Sequence, residues 1–585
     1  MNGFFKTFFA SLLALVIFTV LGILILIGLV LSATSVDKPI VGSKAVLVLD
    51  LSNNFKEQTQ DDLFSVFLKK GDVEIPSLYT MVRMLRVAQS DTAVKGVYIV
   101  CGDNGNGFAA SEELRKALID FKASRKFVIA YGEAISQKGY YVGSSADKIY
   151  CHPQGGVDWA GFSSNLIFLK GMLDKLEIQP QIFYAGKFKS ATEPLRETHM
   201  TEANRLQTSV WLGDLYSRFL YAAASSRKID TAKLRSLALV GAIQTAHDAW
   251  KSGLVDGLKY DDEVKQELQN RLRLREKEKI NFVSFGDYSK AVDDDQSKGE
   301  NRIAVIYADG DIVSGNGDNE QVASDVFRTL IRKVRLDKTV KAIVFRVNSP
   351  GGSALASDVI WREISLARKA KPVIVSMGDV AASGGYYISC NADSVFANAN
   401  TLTGSIGVFS IVPNLQLFFK HKLGITFDGV KTAPYADMGS MGRPLNETEK
   451  RFFQAGTDSV YHTFTSRVAE GRNKNISYVD SVAQGRVWTG SRAVQVGLVD
   501  RIGTMQDAID CAARMVKLKE YRLKEYPEKK NLVEQILSSY KKSLSNDLLS
   551  EEIGSDHLQL IKELKKVKGM MGVPQARLPF LVEIH

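Results

Sequence analysis

Ser383 is the hydroxyl in this chain with the surroundings of a nucleophile. It stands in Ala382-Ser383-Gly384-Gly385, directly after an apolar run that reads as a buried strand. Small neighbours let a peptide backbone approach, and a helix starting here would aim free N–H groups at an oxyanion. The same residues also describe a tight structural turn. A second loop, Asn348-Ser349-Pro350-Gly351-Gly352, follows another buried run. Its glycines can present backbone N–H groups to a developing negative charge, although a phosphate-binding or structural turn reads the same way. A serine nucleophile needs a base. No histidine recurs near these loops, and the seven histidines form neither HExxH nor a metal-ligand cluster. The first half of the chain offers Lys189, in Gly186-Lys187-Phe188-Lys189-Ser190-Ala191. A lysine accepts a proton only if burial lowers its pKa; for any one position a solvated surface lysine is the default.

An internal repeat relates these residues. Tyr131-Gly132-Glu133 through Tyr141 recurs as Met377-Gly378-Asp379 through Tyr387, at an offset of 246 residues that carries Gln137 onto Ser383. Lys95–Val100 meets Lys341–Arg346 at the same offset, and Gly253-Leu-Val-Asp256 meets Gly497-Leu-Val-Asp500 at 244. Lys189 falls near Ala436, so each half has kept one group that the other lacks. One site assembled from two diverged halves is the simplest account.

The elements that must position such a site are short apolar strands separated by helices. Ala45–Leu49, Gly96–Val100 and Phe127–Ala130 are matched by Ile303–Ile306, Ala342–Phe345 and Pro372–Val375. The alternation predicts two α/β units with largely parallel sheets, over residues 44–265 and 301–515. The charged stretch 266–300 reads as a linker, and 516–585 as a lysine-rich helical extension. Phe8–Leu31 is a run of 24 residues without charge. As a helix it would be about 36 Å long, enough to cross a hydrocarbon core of about 30 Å. It predicts a membrane anchor, with residues 1–7 on the cytoplasmic side. The net charge of +10 is interspersed with acids, which argues for a solvated surface near anionic lipid and against a nucleic-acid partner. Four cysteines without CxxC spacing give no disulfide framework.

Five motifs stand in order: Phe188-Lys-Ser-Ala191, Ser349-Pro-Gly-Gly352, Met377 through Tyr386, Thr401-Leu-Thr-Gly-Ser-Ile-Gly407 and Arg486-Val-Trp-Thr-Gly490. Together they resemble the signal peptide peptidase A family in its long, duplicated form, with a weaker echo in Gly572-Val-Pro-Gln-Ala576. The resemblance implies two tandem Clp protease/crotonase-like domains behind an N-terminal transmembrane helix. It implies a serine protease with a Ser–Lys dyad acting on cleaved signal peptides and similar apolar peptides, without a cofactor. Ser383 would then be the nucleophile, Lys189 the general base and Ser405 the residue orienting the lysine. Gly352 and Gly384 would be the oxyanion donors, with Gly351 and Gly352 not separated by sequence alone. A homotetramer in the bacterial inner membrane, its catalytic body periplasmic, is likewise implied. A crotonase-type acyl-CoA enzyme and a catalytically idle membrane scaffold are the competing readings. The first gives no reason for an anchor, and the second none for keeping both dyad members.

Overall fold

The computed structural model describes residues 2–34, 39–58, 75–275, 278–292, 299–318, 320–528 and 572–578. In the first half the strands are β1 (Ala45–Asp50), β2 (Val94–Val100), β3 (Phe127–Ile135), β4 (Lys148–Val157), β5 (Gln179–Ala185), β6 (Gly257–Leu258) and β7 (Phe282–Ser284). The second half contributes β8 (Arg302–Asp309), β9 (Asp311–Val313), β10 (Gln321–Ala323), β11 (Val340–Ser349), β12 (Gly351–Ser353), β13 (Val373–Ala382) and β14 (Ser394–Ala397). It continues with β15 (Leu402–Gly404), β16 (Val408–Asn414), β17 (Val487–Thr489), β18 (Arg501–Ile502), β19 (Arg522–Tyr526) and β20 (Gln575–Arg577).

Two sheets carry the repeat. The first is wholly parallel, in the order β6-β4-β3-β2-β1-β7. The second contains the parallel path β18-β14-β13-β11-β8-β19. The orders correspond strand for strand. Both sheets are covered on both faces, which is why their strands read as continuous apolar runs rather than alternating ones. On one face of the first, Leu47, Val97 and Ile99 pack against Met81 and Leu85 of the helix Leu78–Ser90. On the other face, Val264, Leu268 and Leu272 of the helix Asp261–Leu272 cover Val46, Tyr98 and Ile129. In the second sheet Met505 and Ile509 of the helix Met505–Met515 do the same over Ile303, Val305 and Val344.

Three expectations need correction or fall outside the description. The segment 266–300 is not a plain linker: it completes the helix Asp261–Leu272, adds β7 to β1 and ends in the helix Phe285–Ala291. Its apolar residues at four-residue spacing, among many charges, are enough to bury one helical stripe. Within the helical extension expected over 516–585, the described residues 516–528 and 572–578 carry the strands β19 and β20, and the rest of it lies outside the described residues. The N-terminal helix spans Asn2–Thr34. Among the described residues no helix is long and apolar enough to cross a membrane; the run expected to do so, 8–31, extends past the last side chain described in this helix, Gly22.

The third sheet joins the halves, in the order β10-β9-β12-β20-β16-β5. Antiparallel pairing of β5 with β16 runs from Gln179–Asn414 to Ala185–Val408. The chain leaving β5 therefore passes the residues that precede β16, and Lys189 is delivered to Ser405–Gly407.

Candidate active site

Ser383 occupies the step between β13 and the short helix Gly384–Ser389, with φ 55° and ψ −113°. A non-glycine residue in this conformation is strained and is held by its surroundings. Its N–H donates to Gly404 O at 2.7 Å, which locks the turn to β15. The tight neighbours are required: a Cβ on Gly385 would stand 2.5 Å from Ser349 O, so the two glycine loops could not close together.

The Lys189 side-chain nitrogen, Nζ, lies 2.8 Å from Ser383 Oγ, 3.1 Å from Ser405 Oγ and 3.2 Å from Ser405 O. All three residues are buried, with Lys189 only 1% exposed. Burial pushes the Lys189 pKa well below its ordinary 10.5, and no neighbouring charge counters it. Ser405 has φ 51° and donates its N–H to Arg486 O at 2.7 Å, which turns both its oxygens to the lysine.

The candidate oxyanion glycines also converge. Gly351 has φ 97°, and a Cβ there would meet Gly384 N at 2.7 Å, so the Gly351-Gly352 loop lies directly against the start of the helix after Ser383. Gly352 belongs to β12, in register with Ala576 of β20. The counterparts from the repeat do not join this site by function. Gln137 is buried, its Nε2 donating to Gly161 O at 2.9 Å and its Oε1 accepting from Gly161 N at 3.0 Å. Ala436 sits in an exposed segment after β16.

Models of two known families match the chain. Peptidase family S49 matches residues 120–275 and 365–519, and Clp protease matches 295–403. The chain belongs to peptidase family S49. It is a serine protease. "Protease 4" of Salmonella typhi is 37% identical over 474 residues, covering 79% of this chain and 76% of the relative. "Protease 4" of Haemophilus influenzae is 35% identical over 76% of this chain and 74% of its own length. "Serine protease SPPA, chloroplastic" of Arabidopsis thaliana is 33% identical over 74% and 64% respectively.

Several residues that hold the lysine of this S49 peptidase escaped the sequence reading. Gln207, on the helix Glu202–Arg227, donates to Phe188 O and Ser190 Oγ, both at 3.0 Å, and accepts from Val487 N at 3.1 Å. Phe188 N–H donates to Gln484 O at 2.7 Å. A Cβ on Gly485 would come within 2.6 Å of Lys189 N, and one on Gly407 within 3.0 Å of Lys189 Cδ. Nothing local in the sequence marks Gly485 as the floor under Lys189.

Proposed function

We propose that this S49 peptidase is an endopeptidase that works through a Ser383–Lys189 dyad. The observation that carries the reading is the 2.8 Å contact between a buried lysine amine and a strained serine hydroxyl, with no acid beside the amine. Neutral Lys189 takes the proton as Ser383 Oγ attacks the peptide carbonyl. Ser405 holds the amine through both its oxygens. The N–H groups of Gly352 and Gly384 receive the oxyanion. Lys189 then protonates the leaving amine, and a water repeats the sequence on the acyl-enzyme. No cofactor is called for.

The substrates in this reading are extended apolar peptides, cleaved signal peptides among them. The uncharged run at 8–31 anchors the enzyme in the bacterial inner membrane, with its catalytic body periplasmic, where such remnants arise. A homotetramer is the assembly proposed for it, with no nucleic-acid partner. A fluorophosphonate probe on the full-length protein in detergent tests the chemistry. Labelling should fall on Ser383, and Ser383→Ala should lose both labelling and roughly 10⁴–10⁶-fold in peptide turnover. Ser383→Ala retaining near wild-type turnover would end the proposal.

A further inference from the structure

We propose that Asp379 is a positioning residue for the nucleophile, holding the strand that leads to Ser383 on the part of the first half that carries Lys189. It rests on the dyad reading and gives the serine a support that reaches across the halves.

A dyad shared between two halves needs its separation fixed from both sides. Pairing of β5 with β16 fixes the side of the lysine. On the side of the serine, β13 is bulged: Val347 of β11 pairs with Met377 and Ser349 with Ala381, so Asn348 alone faces Gly378, Asp379 and Val380. A bulge re-aims the chain beyond it, and this one closes just before Ala381-Ala382-Ser383. Its backbone is gripped within the second half. Asn348 Oδ1 accepts from Val380 N at 3.1 Å, and Thr401 Oγ1 donates to Gly378 O at 2.8 Å. Its side chain reaches the other half. Asp379 Oδ1 accepts from the N–H groups of Ala109 and Ala110 at 2.8 and 3.0 Å, in the first turn of the helix Phe108–Lys122.

The repeat shows that this contact has replaced a local one. The matching helix of the second half, Ala354–Ala370, is capped by its own Ser353, whose Oγ accepts from Ala356 N at 3.3 Å. At the offset of 246, Ser353 falls on Gly107 and Ala356 on Ala110. Gly107 supplies no side-chain cap, and the first turn after it holds no acid. The free N–H groups of a helix start need an acceptor, and here it comes from the other half. A Cβ on Gly107 would stand 2.2 Å from Asp379 Cγ, so only glycine admits the carboxyl group. Glu133, the counterpart of Asp379, is exposed.

The capped helix leads on to the base. Arg115 on it donates through Nη2 to Ala222 O at 2.9 Å and Ser226 Oγ at 2.6 Å, both on the helix Glu202–Arg227. Gln207 of that helix holds Phe188 and Ser190, on either side of Lys189. Asp379 thus closes a ring of contacts that starts at the strand of Ser383, crosses the first half and returns through Lys189 Nζ to Ser383 Oγ. With the ring open, the strand is free to shift, and a misplacement of about 1 Å at a reacting atom can cost about 100-fold in rate.

Kinetics and denaturant midpoints of Asp379→Ala, Asp379→Asn and the double variant Gly107→Ser/Asp379→Ala test this. Asp379→Ala should lower kcat about 10- to 100-fold with KM changed by less than about twofold, and slow fluorophosphonate labelling of Ser383 in parallel. Asp379→Asn keeps an acceptor oxygen and should recover most of kcat. In the double variant the helix regains a cap of its own, in the space the carboxyl group left. It should recover the midpoint but not kcat, and it carries the comparison if Asp379→Ala alone does not fold. Wild-type kcat in Asp379→Ala overturns the proposal and leaves the dyad reading standing. So does a double variant whose kcat returns with its midpoint, because Asp379 would then serve stability alone. A wild type that fluorophosphonate does not label at Ser383 removes the dyad reading, and this proposal with it.

Discussion

The ionisation state of one lysine governs the chemistry at the residue scale. Burial favours the neutral amine, so the folded-state pKa of Lys189 lies below 10.5. The neutral fraction, and with it kcat/KM, should rise with pH through that lowered value along a single titration and then level off. Lys189→Arg should be nearly inactive at every pH, because a guanidinium keeps its proton. Lys187→Arg, at an exposed position, should retain most activity. A pH–rate profile of these variants on a fluorogenic peptide checks both, and a flat wild-type profile would count against lysine as base. Ser405→Ala removes one oxygen from the amine while leaving the Ser405 carbonyl. A loss of about 10- to 100-fold in kcat is expected, equivalent to roughly 1.4–2.7 kcal/mol in the barrier. Gln137→Ala should leave kcat unchanged and cost about 1 kcal/mol of stability, since the amide braces the backbone at Gly161 and reaches Asp158 Oδ2 at 3.5 Å.

Among the elements, pairing of β5 with β16 carries a base from one half to a nucleophile in the other, and the loop at Gln484–Arg486 supports it from below. Gly485, at φ 76°, has room for no side chain next to Lys189 N. Gly485→Ala should therefore cost about 1–3 kcal/mol in strain and lower activity more than tenfold, as the amine loses its aim at Ser383 Oγ. Gly213, in the middle of the helix Glu202–Arg227, is the contrast. A Cβ there meets nothing within 4 Å, so Gly213→Ala should stabilise by about 0.5–1 kcal/mol at unchanged activity. Denaturant midpoints read beside kcat distinguish the two cases. A Gly485→Ala enzyme with wild-type kcat would show that the loop only borders the site.

Across the whole molecule the halves are locked by a buried charge cluster beneath the glycine loops. Arg346 on β11 holds Glu57 through two contacts, at 2.8 and 3.0 Å, and Glu113 at 2.9 Å, and it donates to Ser376 Oγ at 2.9 Å. Asp379 on β13 accepts from Ala109 and Ala110 N at 2.8 and 3.0 Å. Burial outweighs the guanidinium at Glu57, whose carboxyl is pushed up to about 7. Arg346→Met should destabilise the protein by about 3–5 kcal/mol, because it strands carboxylates away from water; thermal unfolding of the variant measures this, and an unchanged midpoint would contradict it. Local order made part of all this legible from residues alone. Buried strands such as Ala342–Phe345 announce themselves by continuous β-branched runs, and Ser383 by the small residues a sharp turn demands. The repeat exposed which half kept the hydroxyl. Elsewhere the deciding contacts join residues hundreds of positions apart. No pattern around Lys189 says whether it is buried, since its desolvation comes from Gly407, Gly485 and Ser405 in the other half. Nor did the charges of 266–300 reveal β7, or the short run Gln575–Arg577 its place between β12 and β16. A strand's partner is set by which edge the rest of the fold leaves open, and that edge exists only once the chain has folded.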